Sequence, residues 1–202
     1  NFKNVVDTFY PSLPFGIAQI GKAFRNEISP RDFVFRSREF EQMEIEYFCH
    51  PSKWEESFEH LRVEFNSWLL SIGLPKDGIH EVEIGDGDRA HYSKRTIDFE
   101  FDFPMGQKEL AGLAYRTDFD LKQHSEFSKT DLSYFDEELK ERFIPHCIEP
   151  SIGVERTFLA VLASAYNEEA VGDADTRIVL KFKPSIAPIQ VAVLPLSKKD
   201  EL

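Results

Sequence analysis

Cysteine is scarce in this chain: its 202 residues contain only Cys49 and Cys147, which lie far apart. Without a Cys-x-x-Cys spacing, they can build neither a disulfide framework nor a zinc site of four cysteines. No run approaches the roughly 18 to 20 apolar residues that a membrane-spanning helix needs, and no charged-then-apolar leader opens the chain. These absences predict a soluble cytoplasmic protein with no membrane partner.

Positively charged residues are also few: the chain has 24 Lys and Arg but 36 Asp and Glu, which gives a net charge of -12. Such a chain is not expected to coat nucleic acid indiscriminately, since phosphate binding depends on Lys and Arg. Basic residues are nevertheless clustered at Arg25, Arg31, Arg36 and Arg38. A local positive field in an acidic chain indicates a small anionic ligand.

The composition favours a mixed α+β domain. Hydrophobic residues make up 42% of the chain, which is enough for a substantial core, and 19 of them are Phe. Large flat side chains favour strands and wide sheet-helix interfaces over slender helical bundles. A shift in composition after residue 175, followed by Pro184-Ser185, places a domain boundary near Ser185.

Both ends of the chain are interpreted as cuts in a longer protein. It begins at Asn1 without a methionine, and its last four residues, 199–202, read Lys-Asp-Glu-Leu. That tetrapeptide matches the retention signal of the endoplasmic reticulum. We interpret the match as a coincidence of truncation, because a luminal address requires an entry signal that the sequence lacks.

Two apolar-rich segments, residues 17–28 and 33–49, predict an antiparallel strand pair with its turn at Ser29-Pro30-Arg31-Asp32. On a strand, the even positions 34 to 48 share a largely polar face, and Phe33 and other apolar residues share the core face. The next predicted elements are an amphipathic helix that Ser52 caps and Gly73 ends, a strand over 97–103 with a solvated acidic face, and a strand over 109–115. They are followed by a polar loop with some helix over 125–142, a helix over 156–166, a strand over 176–182 and a β-rich run over 189–194.

The strand pair carries the first chemical pattern, Phe24-Arg25-Asn26-Glu27 before the turn and Arg36-Ser37-Arg38-Glu39-Phe40 after it. Guanidinium groups can grip phosphate with two hydrogen bonds, and an aromatic ring further along the strand can stack on a base. Any one of these residues alone is better explained as part of a sheet face with Arg-Glu pairs. The whole ordered set favours a nucleotide site.

The second pattern is the run from Glu149 to Arg156, which leads into an apolar helix. Gly153 permits close backbone approach where a strand turns into a helix, and Arg156 at the helix start can meet a terminal phosphate. The plainer alternative is a turn glycine followed by a surface cation.

These patterns resemble motifs 2 and 3 of class II aminoacyl-tRNA synthetases. Ser151 replaces the first glycine of motif 3, a departure that the glycyl branch shares. Further stretches, at residues 13–21, 38–44, 89–92 and 116–121, are similar to glycyl-tRNA synthetases in particular. The resemblance implies an antiparallel sheet flanked by helices, a catalytic core over residues 1–184 without the upstream motif 1, and the truncated start of an anticodon-binding domain over residues 185–202.

The resemblance also implies a function: ATP-dependent activation of glycine to glycyl-adenylate and its transfer to the 3′ end of tRNA(Gly), by a protein that is a homodimer at full length. Arg25 and Arg156 are the implied catalytic residues, and Glu109 is implied as an acid near Mg²⁺. The implied ATP-binding residues are Arg25, Asn26, Glu27, Arg36, Ser37, Phe40, Glu109, Leu110 and Arg156. The implied glycine-binding residues are Gln42, Glu44, Glu149, Pro150 and Ser151.

Two alternatives stay open at this point. One is a synthetase-like protein that keeps the fold without the chemistry, such as the accessory subunit of the mitochondrial DNA polymerase. The other is a synthetase for threonine, serine or proline. An intact set of Arg25, Glu27, Arg36, Phe40 and Arg156 argues against the first, and Ser151 together with the absence of a Cys/His zinc pattern argues against the second.

Overall fold

A computed structural model describes residues 1–172 and 175–196. The Lys-Asp-Glu-Leu tetrapeptide at 199–202 therefore lies outside the described residues. The helices are α1 (Phe2–Phe9), α2 (Trp54–Ser71), α3 (Phe119–Ser128) and α4 (Val154–Ala165). The strands are β1 (Phe15–Phe24), β2 (Glu39–Cys49), β3 (Ile79–Glu83), β4 (Arg95–Phe103), β5 (Gly106–Thr117), β6 (Tyr134–Asp136), β7 (Glu141–Phe143), β8 (His146–Gly153), β9 (Tyr166–Val171) and β10 (Asp175–Leu180).

Six strands form one antiparallel sheet in the order β1-β2-β8-β5-β4-β3, and two small hairpins, β6-β7 and β9-β10, stand beside it. This architecture confirms the expected α+β class with an antiparallel sheet and flanking helices. In the described part of the chain, no helix is both long and apolar enough to cross a bilayer.

One face of the sheet is apolar because side chains alternate along each strand. On β4, Ile97, Phe99, Phe101 and Phe103 are all buried, as the sequence pattern predicts. Helices α2 and α4 cover this face, and Phe58 of α2 is fully buried in the same cluster. The opposite face is polar, and it is the face on which the functional side chains lie.

The segment between β1 and β2 corrects the prediction of a long strand with a four-residue turn. Residues 25–38 form a loop that includes a short 3-10 turn at Phe33–Phe35, and β2 begins only at Glu39. Asp32 and Phe33 both have left-handed backbone angles, φ 59° and 54°, which no strand accommodates. Phe33 is consequently 78% exposed, although it was expected to face the core. Arg36 and Ser37 therefore lie on a loop and not on a strand.

Three smaller expectations are wrong in whole or in part. The predicted cap Ser52 lies within a 3-10 turn, Pro51–Lys53, where the His50 side chain accepts the backbone N–H of Ser52, and α2 begins one residue after that turn. The segment 125–142 contains the expected helix, as the end of α3, but the β6-β7 hairpin stands where only a loop was expected. The run over 189–194 forms no strand, and its side chains Ile189, Val191 and Val193 are exposed.

Candidate active site

An open cavity lies on the polar face of the sheet, between the loop of residues 25–38 and the start of α4, and it holds about 670 Å³ of space, part of which is open to solvent. Residues from β2, β5 and β8 form its floor. The wall consists of Arg25, Glu27, Val34, Phe35, Arg36, Ser37, Phe40, Gln42, Glu109, Leu110, Ala111, Gly112, Ser151, Gly153, Glu155 and Arg156. Most of the residues that the two sequence patterns singled out are therefore brought together around one space.

Four of the predicted site residues lie outside this wall. Asn26 is exposed to solvent, and Pro150 is buried in β8. Glu44 and Glu149 flank Ser151, because Glu44 pairs with Ser151 across the β2-β8 ladder and Glu149 lies two residues before it. These two carboxylates thus form a second compartment next to the cavity floor.

Two arginines lie over aromatic rings inside the cavity. The Arg25 guanidinium is 5.3 Å from the centre of the Phe40 ring, and the Arg156 guanidinium is 4.4 Å from the centre of the Phe35 ring. Such contacts stabilise a cation without consuming its hydrogen-bond donors. Arg25 and Arg36 form no salt bridge with a carboxylate in the described part of the chain, so their donors remain free for an anionic ligand.

Arg156 is anchored at the start of α4 by backbone and side-chain acceptors. Its Nη1 donates to the Glu109 carbonyl oxygen at 2.9 Å and to Glu109 Oε2 at 3.2 Å, and its Nε donates to the Phe35 carbonyl oxygen at 3.3 Å. These bonds join α4, β5 and the loop of residues 25–38 around one guanidinium group. Arg156 is thereby held at the cavity wall beside the positive end of the helix.

The strand-to-helix step at Gly153 does not depend on a conformation that only glycine adopts. Gly153 has φ -78° and ψ 122°, an ordinary extended conformation that any residue adopts. A Cβ at this position would lie 3.6 to 3.7 Å from the Arg156 side chain. These are ordinary van der Waals distances, so neither the backbone conformation nor the space around Gly153 requires a glycine in the ligand-free protein.

A β-bulge decides where Glu109 points. The β4-β5 register pairs Phe99 with Ala111 and Glu100 with Glu109, so Leu110 is the extra residue. Strict alternation would place Glu109 and Gly112 on opposite faces, because they are three residues apart. The bulge returns Glu109 to the polar face, where both residues line the cavity.

The compartment next to the cavity floor is rich in charge. Gln42 Nε2 donates to Ser151 Oγ at 2.7 Å, and Arg116 Nη1 donates to Glu149 Oε2 at 2.8 Å. Partial burial and the nearby Glu149 carboxylate raise the pKa of Glu44. Carboxylates whose negative charges repel one another in a half-buried site form a suitable receptor for an ammonium group.

Arg116 is the charged residue that the predictions missed. Burial alone would lower its pKa, but hydrogen bonds and charge from Asp120 and Glu149 raise it above the ordinary value. The sequence shows Arg116 only within a family-like stretch, and its partner Glu149 is 33 positions away. The i,i+4 spacing of Arg116 and Asp120 was the one available local signal, but Arg116 lies near the end of β5 and Asp120 lies in α3.

The acidic residues near Glu109 offer carboxylate oxygens without forming a complete set of metal ligands in the described part of the chain. In the described residues, no group of three or more His, Cys, Asp or Glu side chains is arranged to hold an ion. Asp98 faces Glu109 and Glu100, and burial together with these two charges raises the pKa of Asp98 to about 6. Carboxylate oxygens suit Mg²⁺, which usually keeps several waters and takes only one or two protein ligands beside substrate phosphates. The donor set therefore fits a metal that arrives with a nucleotide.

Comparison with known proteins gives one family and a set of close relatives. Residues 2–165 match the family described as tRNA synthetase class II core domain (G, H, P, S and T). The chain is 53% identical over 199 residues to glycine–tRNA ligases of Acetivibrio thermocellus and Ruminiclostridium cellulolyticum, and 51% identical to that of Geobacillus kaustophilus. Each alignment covers 98% of this chain but 43% of the relative, so the chain spans less than half the length of these proteins.

Proposed function

We propose that this chain, which belongs to the class II tRNA synthetase core-domain family, supplies the activation site of a glycine–tRNA ligase. The complete protein would activate glycine with ATP to glycyl-adenylate and pass the glycyl group to the 3′ end of tRNA(Gly). The observation that carries the proposal is the meeting of Arg25, Phe40 and Arg156 in one cavity beside the Glu44 and Glu149 carboxylates. The names of relatives at 51% to 53% identity support the same reaction.

ATP would bind in the cavity with its base on Phe40 and its phosphates between the arginines. Arg25 is assigned to the α-phosphate, and Arg156 at the start of α4 to the terminal phosphate. Glu27, Arg36, Ser37, Glu109 and Leu110 line the same space and complete the nucleotide site, with Asn26 at its exposed rim.

Glycine would bind in the adjoining compartment with its ammonium between Glu44 and Glu149. Ser151 and Gln42, which hydrogen-bond to each other, would close the space that a larger side chain requires. Pro150 is buried between Glu149 and Ser151 in β8 and would hold the backbone of that strand. Selection against larger amino acids then rests on steric overlap, which discriminates more strongly than a missing methyl group does.

The activation step needs orientation and charge neutralisation more than covalent chemistry on the protein. A carboxylate oxygen of glycine attacks the α-phosphorus in line, the new oxygen–phosphorus bond forms, and the bond to the bridging oxygen breaks to release pyrophosphate. Arg25 would stabilise the charge that develops on the α-phosphate oxygens. Mg²⁺, when bound with ATP near Glu109, would neutralise phosphate charge.

Several parts of the proposal concern the complete protein. The homodimer, the cytoplasmic location, the core over residues 1–184 and the start of a further domain at residue 185 stay predictions. No observation favours an inactive synthetase-like protein, since the cavity keeps each residue of the ATP set except the exposed Asn26.

Amino-acid-dependent ATP–pyrophosphate exchange tests the proposal. The complete protein should be assayed with all twenty amino acids, with ATP and Mg²⁺, and glycine alone should stimulate the exchange. Stimulation by another amino acid would overturn the assignment to glycine. No exchange with any amino acid would favour a protein that keeps the fold without the chemistry.

A further inference from the structure

Arg116 is enclosed on three sides within the amino-acid compartment. Its Nε and Nη2 donate to the Asp120 carboxylate at 2.7 and 2.9 Å, and its Nη1 donates to Glu149 Oε2 at 2.8 Å. The Tyr92 ring covers one face of the guanidinium, with 4.0 Å between the guanidinium carbon and the ring centre. Hydrogen bonds in the guanidinium plane and an aromatic ring over its face are compatible, so the three partners fix both its position and its tilt.

The loop of residues 84–94 is tied to β5 at the residue next to Arg116. The Lys94 N–H donates to the Tyr115 carbonyl oxygen at 2.9 Å, and Ser93 Oγ donates to the same oxygen at 3.1 Å. Tyr92 directly precedes this anchor and also packs against Phe119 of α3. The placement of Tyr92 over Arg116 therefore follows from the backbone connection and is not a chance surface contact.

We propose that Tyr92 is a positioning residue for the amino-acid subsite, and this rests on the proposed function. Tyr92 holds Arg116, and Arg116 holds Oε2 of Glu149, which directs Oε1 of Glu149 toward the substrate ammonium. Loss of the ring frees the guanidinium to tilt, and the Glu149 carboxylate then loses its fixed orientation. The effect belongs to glycine binding, because the side chains that line the nucleotide cavity do not include Tyr92 or Arg116.

The test compares Tyr92→Leu with Tyr92→Phe in the complete protein. Leucine removes the ring, whereas phenylalanine keeps the ring face and removes only the hydroxyl. Phe135→Leu is the matched control, since Arg142 lies over the Phe135 ring at 5.6 Å in the β6-β7 hairpin, which contributes no side chain to the cavity wall. Each variant is assayed by pyrophosphate exchange for the KM of glycine and the KM of ATP.

Tyr92→Leu should raise the KM for glycine roughly three- to tenfold, the range expected for loss of a partly buried cation–π contact. The KM for ATP should stay unchanged, Tyr92→Phe should restore the wild-type KM for glycine, and Phe135→Leu should behave as wild type. An unchanged KM for glycine in Tyr92→Leu overturns the proposal. Equal rises in both KM values, or failure of phenylalanine to rescue, show a general structural role and also overturn it.

Crystal structures of the complete wild-type protein and of Tyr92→Leu separate this inference from the proposed function. A wild-type protein without glycine-dependent exchange refutes the function. In that case the positioning role is still decided by the crystals, where the Arg116 to Glu149 bond should be lost or split between conformers in Tyr92→Leu. An unmoved pair in the variant refutes the role of Tyr92.

Discussion

Replacement of Asp98 by asparagine should stabilise the ligand-free protein at neutral pH. The Asp98 carboxylate lies on the polar face of β4, and burial, Glu109 and Glu100 raise its pKa from 3.8 to about 6. In the unfolded chain the group titrates near its ordinary value, so between pH 3.8 and 6 the folded state binds more protons than the unfolded state. Stability therefore falls as the pH rises through this window.

The size of the stability gain in Asp98→Asn follows from the pKa shift of Asp98. A pKa raised from 3.8 to about 6 corresponds to about 3 kcal/mol for a group fully shielded from water. Asp98 is only half-buried, and water screens its neighbours, so about 1 to 2 kcal/mol is the reasonable expectation. For a domain of this size that gain raises Tm by about 3 to 6 °C at pH 7.5.

Differential scanning calorimetry of Asp98→Asn and wild type between pH 4 and 7.5 measures this effect. The gain in Tm should be full above pH 6 and should shrink as the pH falls toward 3.8. Asp102→Asn, an exposed carboxylate on the same strand, is the control and should show no such pH-dependent gain. A gain that does not change with pH, or a loss of stability at pH 7.5, would refute the reasoning.

Four further predictions concern the site and the core. Glu44→Gln should raise the KM for glycine by about 10- to 100-fold with little change in the KM for ATP, because a hydrogen bond to a charged group is lost. If exchange assays give the variant the same KM for glycine as the wild type, Glu44 is not part of the site. In the wild type, glycine binding requires ionised Glu44, whose pKa is raised. On acidification, kcat/KM for glycine should therefore begin to fall at a higher pH than it would if Glu44 had the pKa of an ordinary carboxylate. A value of kcat/KM that does not change with pH would contradict this. Phe40→Leu should raise the KM for ATP about tenfold, because base stacking is lost, and should leave the KM for glycine unchanged. An unchanged KM for ATP with a raised KM for glycine would place the base elsewhere. Leu113→Ala removes a fully buried side chain and should cost about 2 to 5 kcal/mol in urea unfolding without a selective change in either KM; a cost below about 1 kcal/mol would contradict the description of the core.

The patterns that the sequence determines by itself are those of short range. Alternation predicts the buried Phe residues of β4, and three- and four-residue steps predict α2 and α4, because strand and helix geometry repeat over a few residues. The ordered set around Arg25 and Phe40 and the run from Glu149 to Arg156 stand out in the sequence by their residue types and by their resemblance to family motifs. That these two runs, more than 100 residues apart, line one cavity follows only from the pairing of β2 with β8.

What only the tertiary structure decides are contacts between distant segments and breaks in regular geometry. The left-handed residues Asp32 and Phe33 end the predicted strand, and the bulge at Leu110 turns Glu109 toward the cavity. Gln42 reaches Ser151 across 109 positions, and Tyr92 covers Arg116 only because its loop bonds to Tyr115. Pairing of strands far apart in sequence sets these contacts, and no local periodicity encodes which register a strand takes against its neighbour.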